Sequence, residues 1–398
     1  MKSFLMVVAA AAFLAAGTSA VRAQGEFPLK YVLAEENDPL TSLGMSYCWG
    51  AAEQPPDIKA LPQGMSGNRK YFRVPLGGKD LLAVLEMSSP LKLYVDLART
   101  GDLSAVAPLV GTAKGDECRF GPIDVPVGDG KTAATVKVEF RSLDNNQFLG
   151  GRAVRYMAGD VKLDGQTYRV AVLDGDLNGR YENAFGADGK TVPEGRADVI
   201  AIDLNEDGKF SLDGDVEGIM PLVNAVRVKD AYYRVHVVPD GSSIKFEKYE
   251  PKMGTLDLGI AASLRALSDT GMHNLGGSDG KWQVPEGKYI CEGLSITKTD
   301  ADGKEWRLAG LDVGPLKNFE IRGGETTAIK IGPPLALKVD AVGPPSGGEI
   351  VLSLALAGKA GETYFLGLRQ GATRSSPPKV KVLDASGNVL AEGNSEFG

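Results

Sequence analysis

The chain has 398 residues, with 51 acidic against 44 Lys and Arg side chains and a formal net charge of −7. That balance argues against nucleic acid or an anionic membrane as a partner, because holding phosphates needs clustered Lys and Arg. Gly at 51 positions and Pro at 22, with little helical periodicity, point to strands joined by tight turns, and the length suits two or three domains.

Residues 1–23 have the make-up of a secretory signal. Lys2 supplies the positive end, Phe4 to Gly17 the apolar core, and Thr18-Ser19-Ala20 or Val21-Arg22-Ala23 the small-residue cleavage site. The apolar run is near 14 residues, short of the roughly 20 that cross a bilayer, and no later run is long enough for a membrane helix. No Cys lies near the cleavage site, which argues against lipid attachment. The mature chain of about 375 residues is therefore expected to be secreted, periplasmic or in the cell envelope, with no membrane span after cleavage.

Residues 24–70 read as loop-rich, with Pro55-Pro56, Pro62 and the cluster Tyr47-Cys48-Trp49. From Tyr71 the strand pattern is clear: Leu81 to Leu85, Leu91 to Val95, and the alternating Ala134 to Phe140. Asp164-Gly165 between Leu163 and Thr167 is a hairpin signal, because a type I′ turn favours that pair. Pro239-Asp240-Gly241 marks a second hairpin, between Val235–Val238 and Ile244–Glu247.

Two octets within residues 170–217 carry the chemistry. Asp174-Gly175-Asp176-Leu177-Asn178-Gly179-Arg180-Tyr181 follows Val170 to Leu173, and Asp203-Leu204-Asn205-Glu206-Asp207-Gly208-Lys209-Phe210 follows Val199 to Ile202. Each is a strand-like lead-in, then oxygen side chains at positions 1, 3 and 5, Gly at 6 and an aromatic at 8. Side chains two apart on a tightly turning backbone can converge on one calcium ion, which takes six to eight oxygens at about 2.3–2.6 Å. The Gly permits the sharp turn, position 7 (Arg180, Lys209) lends a backbone carbonyl, and the aromatic packs inward. Between Asp174 and Glu217 twelve acids face four basic residues, so the acidic excess of the chain sits in this segment. The competing reading is that Asp, Asn and Gly simply make good turns. A third stretch, Asp96 to Leu103, has Asp at position 1, Gly at 6 and an apolar residue at 8, but Ala98 and Thr100 stand at 3 and 5; it looks like a copy without ligands.

The two octets resemble the calcium-binding loops of the EF-hand and dockerin-like families over about a dozen residues each. The resemblance implies ligand roles for Asp174, Asp176, Asn178, Asp203, Asn205 and Asp207. The Glu at position 12 of an EF-hand is replaced by Phe185 and Gly214 here, so Glu182 would close the first site and Asp213, Asp215 or Glu217 the second. The flanks read as strands, and the helix-loop-helix fold is not carried over.

Past a linker at Pro251 to Gly254, residues 255–333 contain Pro285-Glu286-Gly287-Lys288-Tyr289 and resemble the prealbumin-like or carboxypeptidase-regulatory β-sandwich modules, where such a turn enters a core strand. Asp300 and Asp302 there read as a hairpin turn. Residues 334–398 have the strand spacing of an immunoglobulin-like sandwich, and being small for that fold they are expected to pack on their neighbour. Of the three cysteines, Cys48 and Cys118 are the preferred disulfide pair, with three buried thiols as the alternative. His236 reads as a sheet residue and His273 as a loop residue. No nucleophile elbow, zinc helix or phosphate loop is present, so no enzyme is expected. The expectation is an exported, multidomain, all-β protein: an antiparallel domain over residues 24–250 carrying calcium loops on one rim, followed by two small sandwiches. Calcium would be structural and the role that of a binding or scaffold protein, with envelope proteins or polysaccharide as partners. The alternative is a non-catalytic polysaccharide-associated module with Trp282 or Trp306 stacking on sugar, and behind it a hydrolase that uses a loop carboxylate such as Asp207.

Overall fold

The computed structural model describes residues 23–36, 38–42, 45–77, 79–128, 134–186, 197–210, 218–342, 351–365, 369–371, 373–377 and 379–394. The leader and Asp213, Asp215 and Glu217 lie outside them. The described chain is all-β, with two 3-10 turns and no α-helix.

A five-stranded antiparallel sheet lies at the centre of the first unit, in the order Ile219–Pro221, Val199–Ile202, Gln166–Leu173, Arg155–Leu163, Lys30–Leu33. Val170 to Leu173 and the paired strand Val199–Ile202 are unbroken apolar runs because both their faces are covered. Ala171, Leu173, Val199 and Ala201 face one cluster, with Phe120, Val138 and Phe140 of one neighbouring sheet and Val74, Leu81 and Leu85 of another. Val170, Val172, Ile200 and Ile202 face the other, with Val226, Tyr233, Ile244 and Phe246 of a four-stranded sheet. At 25 cal/mol per Å² such burial contributes about 1.5–3 kcal/mol per Val, Leu or Ile side chain. Both expected hairpins form: Leu163 pairs with Gln166 across Asp164 (φ 48°) and Gly165 (φ 89°), and Val237 with Ile244.

The segment 24–70 is less loop-like than expected. Ala23–Pro28 adds an edge strand beside Ser243–Tyr249, and Lys30–Leu33 forms the edge of the central sheet. Edge position explains why no alternation announces them, since Tyr31 and Leu33 are exposed. The preferred disulfide is ruled out by register. Cys48 pairs with Leu149, Leu149 with Ser142, and Ser142 with Cys118. Three strand spacings of roughly 4.8 Å separate the cysteines, beyond the limit of about 7 Å between bridgeable Cα atoms, and all three thiols are free.

The second unit packs a three-stranded sheet, Lys281–Pro285, Met253–Asp257 and Thr326–Ala328, on a larger one. Tyr289 enters its core, stacked on Phe319 at 5.1 Å, with its hydroxyl donating to the Pro285 carbonyl at 2.7 Å. The expected boundary at 334 is not a break in pairing. Glu305–Asp312 pairs with Thr363–Tyr364, and Tyr364 is fully buried in the core of the second unit. The last described residues form an exposed hairpin, Lys379–Leu383 with Val389–Asn394.

His273, expected in a loop, is buried on the strand Gly271–Gly277 beside the first unit, where Leu267 and Met272 join the cluster around Val226. Its Nε2 lies 3.0 Å from Ser268 Oγ and 3.1 Å from Thr270 Oγ1. Burial, with Arg227 adding, pushes its pKa down to about 4. The unfolded chain protonates this imidazole near 6.5, so between pH 6.5 and 4 only the unfolded state binds the proton and stability falls as pH drops. The contribution is about 3 kcal/mol. In urea melts, wild type should therefore lose about 3 kcal/mol more than His273→Gln between pH 7.5 and 4.5; equal losses would contradict the buried neutral imidazole.

Candidate metal centre

Leu173 pairs with Val199 in the central sheet. The residue after the first strand and the residue before the second, Asp174 and Asp198, therefore emerge at the same end and face each other. Both are buried, with 1% and 0% of their surface exposed. The first octet folds over this end. Asp174 accepts the amides of Asn178 (Oδ1, 3.0 Å) and Gly179 (Oδ2, 2.7 Å), and Asp176 Oδ1 accepts the same Asn178 amide at 3.1 Å. Asp198 closes from the opposite side, accepting the amides of Gly175 (3.0 Å) and Asn183 (2.8 Å). A Cβ on Gly175 would run into the Ala197 carbonyl, so bare backbone is what lets the loop settle on Asp198. Tyr181 at position 8 is buried as expected, as is Phe210 in the second octet.

One carboxylate oxygen from each of Asp174, Asp176 and Asp198 lies within 4.8 Å of the others, the widest separation two ligands about 2.4 Å from a single ion can have. Burial pushes the Asp174 carboxyl well above the usual carboxylate range, with the Asp176 charge adding. Burial raises Asp176 too, and burial with the Asp174 charge pushes Asp198 up to about 9. Two buried carboxyls and a half-buried one this close together disfavour one another's charged forms, and a cation between them would relieve that. Arg180 does not supply one, because its guanidinium turns to Glu182 Oε1. All-oxygen, acidic donors suit a hard ion such as calcium or magnesium rather than zinc or copper.

Asp198 is absent from the sequence-based ligand set. The signal for it was the frame Asp198-Val199-Ile200-Ala201-Ile202-Asp203: the run is bracketed by acids, and antiparallel pairing brings the upstream one to Asp174. Asn178 takes a different role from the one expected, since its Nδ2 donates to Asp176 Oδ2 (2.9 Å) and its Oδ1 accepts the Arg180 amide (2.7 Å). Glu182 is tied to Arg180 through Oε1, and its Oε2 is buried with no hydrogen-bond partner among the described residues.

The second octet has the same turn. Asp203 accepts the amides of Asp207 (3.3 Å) and Gly208 (2.8 Å), and Asn205 Oδ1 also accepts that of Asp207. It does not share a rim with the first. Val170 pairs with Ile202, so consecutive antiparallel strands send the two loops out of opposite ends of the sheet, roughly 17 Å apart for five residues of strand. Here Asn205 and Asp207 are exposed, the Asp207 amide is hydrogen-bonded as above, and the Lys209 amide donates to Asp207 Oδ1. Arg169 lies over Phe210 and donates to the Gly208 carbonyl. The cation already beside this loop is a side chain.

Asp96 shows what the turn needs by itself. It accepts the amides of Thr100 (3.2 Å) and Gly101 (2.7 Å), as positions 5 and 6 do in both octets. Position 4 is left-handed in all three (Arg99 φ 53°, Leu177 φ 58°, Glu206 φ 63°), as is the Gly at 6 (79°, 82°, 80°), and Leu103 is buried at position 8. The Asp at position 1 caps the bend without further ligands. Loop shape alone therefore does not argue for a cation; the three-acid cluster does. Among the described residues it is the one group of three acids at such separations.

Trp282 and Trp306 donate from their indole nitrogens to the Gly276 carbonyl (3.1 Å) and Asp300 Oδ2 (2.7 Å). Comparison with protein-family models, curated proteins and solved structures finds no match to this chain.

Proposed function

We propose that this is an exported β protein whose first octet, with Asp198, binds calcium as a structural ion. The observation that carries it is the convergence of two buried carboxylates, Asp174 and Asp198, and the half-buried Asp176 at the end of the central sheet. The ion would join the 174–183 loop to the strand that starts at Val199, fixing the end of the sheet on which both cores of the first unit rest. The leader-like N-terminus of the sequence supports export, and calcium is abundant outside cells. The role this supports is binding or scaffolding.

Extracellular sites of this kind have dissociation constants near 10⁻⁴ to 10⁻³ M, so 10 mM calcium should stabilise the protein by about 1.4–2.7 kcal/mol. That corresponds to a rise of roughly 3–8 °C in the unfolding midpoint. Thermal melts of the mature chain in EDTA, 10 mM calcium and 10 mM magnesium should show the largest rise in calcium. Identical midpoints in all three would refute the proposal.

A further inference from the structure

A cavity of about 410 Å³ on the larger sheet of the second unit is walled by Arg265, Arg307 and Arg369. Its floor is made of small residues in register: Ser263 lies opposite Ser295, Ser295 opposite Ala309, and Arg265 opposite Gly293. Arg307 pairs directly with Arg369, and Arg369 with Arg374 on the next strand. Like charges directly opposite on paired strands destabilise a sheet, and here three guanidinium-bearing residues stand in one row of a chain whose net charge is −7. Arg307 is laid across the floor by its Nε, which donates to Ser295 Oγ at 3.0 Å. At the wall, Arg265 lies 3.5 Å from Glu292 in an exposed pair. Among the described residues no carboxylate forms an ion pair with Arg307 or Arg369.

We propose that this cavity binds a ligand carrying at least two carboxylate, sulfate or phosphate groups. Guanidinium forks take such groups through paired, charge-assisted hydrogen bonds. The small floor lets the ligand approach the backbone closely, and the volume falls in the range of small-molecule sites. A bound dianion between Arg307 and Arg369 turns their repulsion into two attractions. The acidic surroundings weaken long-range steering, so recognition rests on short-range forks. The site is independent of the calcium loop.

The shared chemistry has two sources, a free small anion or an acidic glycan, and titration calorimetry of the mature chain in EDTA separates them. The probes are inorganic pyrophosphate and tetragalacturonate, with a neutral tetrasaccharide as control. Binding of either anion, weakened at least tenfold in Arg307→Ala/Arg369→Ala and several-fold in Arg307→Lys/Arg369→Lys, is the expected result; the tighter probe identifies the source. Circular dichroism confirms folding, and the single variant Arg369→Ala, on an exposed strand, replaces the double one if that fails to fold. No heat from either anion at 10 mM, or binding unchanged in the variants, overturns the proposal.

Discussion

Replacing Asp198 by Ala is expected to abolish the calcium response of the protein, although Asp198 lies 24 residues from the first octet's leading Asp174. The change removes one of three converging carboxylates and leaves the buried amide of Gly175 and the half-buried amide of Asn183 without their acceptor, the first at a cost of about 1–3 kcal/mol. Removing a buried, repelled carboxyl offsets part of that loss in EDTA. In 10 mM calcium the variant additionally forgoes the binding term of about 1.4–2.7 kcal/mol, so its deficit relative to wild type should be larger in calcium than in EDTA by that amount. Asp203→Ala is the matched control. It orphans the amides of Asp207 and Gly208 in the same turn geometry, yet it should keep the calcium gain of the first site. Equal deficits for Asp198→Ala in EDTA and calcium would count against the ligand set.

Gly179→Ala and Gly208→Ala should differ sharply although both glycines are left-handed, at φ 82° and 80°. Giving either a Cβ costs about 1–2 kcal/mol for the conformation alone. Gly208 has nothing within 4 Å of the added atom, whereas at Gly179 it would strike Ala134 Cβ and come to 3.0 Å from Val127. Overpacking of that kind adds about 1–3 kcal/mol. Chemical denaturation should therefore place Gly179→Ala roughly 2–5 kcal/mol below wild type and Gly208→Ala only 1–2 below. Similar losses would mean that the first octet does not press against the strands bearing Val127 and Ala134.

Much of this architecture was legible in the residues. The hairpins at Asp164-Gly165 and Pro239-Asp240-Gly241, the strands leading into both octets, and the inward packing of Tyr181 and Phe210 follow from turn chemistry and apolar patterning. What was not legible depended on which strands are neighbours. Antiparallel pairing of Gln166–Leu173 with Val199–Ile202 sends the octets to opposite ends and introduces Asp198; neither result is encoded in either octet. The distance between Cys48 and Cys118 is likewise a matter of two intervening strands. The Asp96 loop shows why a motif match alone is weak, since the same hydrogen bonds form where Ala98 and Thr100 replace the ligands.

Calorimetric titration of the mature chain with calcium, in buffers of different ionisation heat, tests the metal centre most directly. Because Asp174 and Asp198 sit well above the ordinary carboxylate range without a cation, binding near pH 7 should release protons and the observed heat should change with the buffer. The account predicts such a proton-coupled event in wild type and its loss in Asp198→Ala; no binding heat, or a binding event that survives that substitution unchanged, would contradict it.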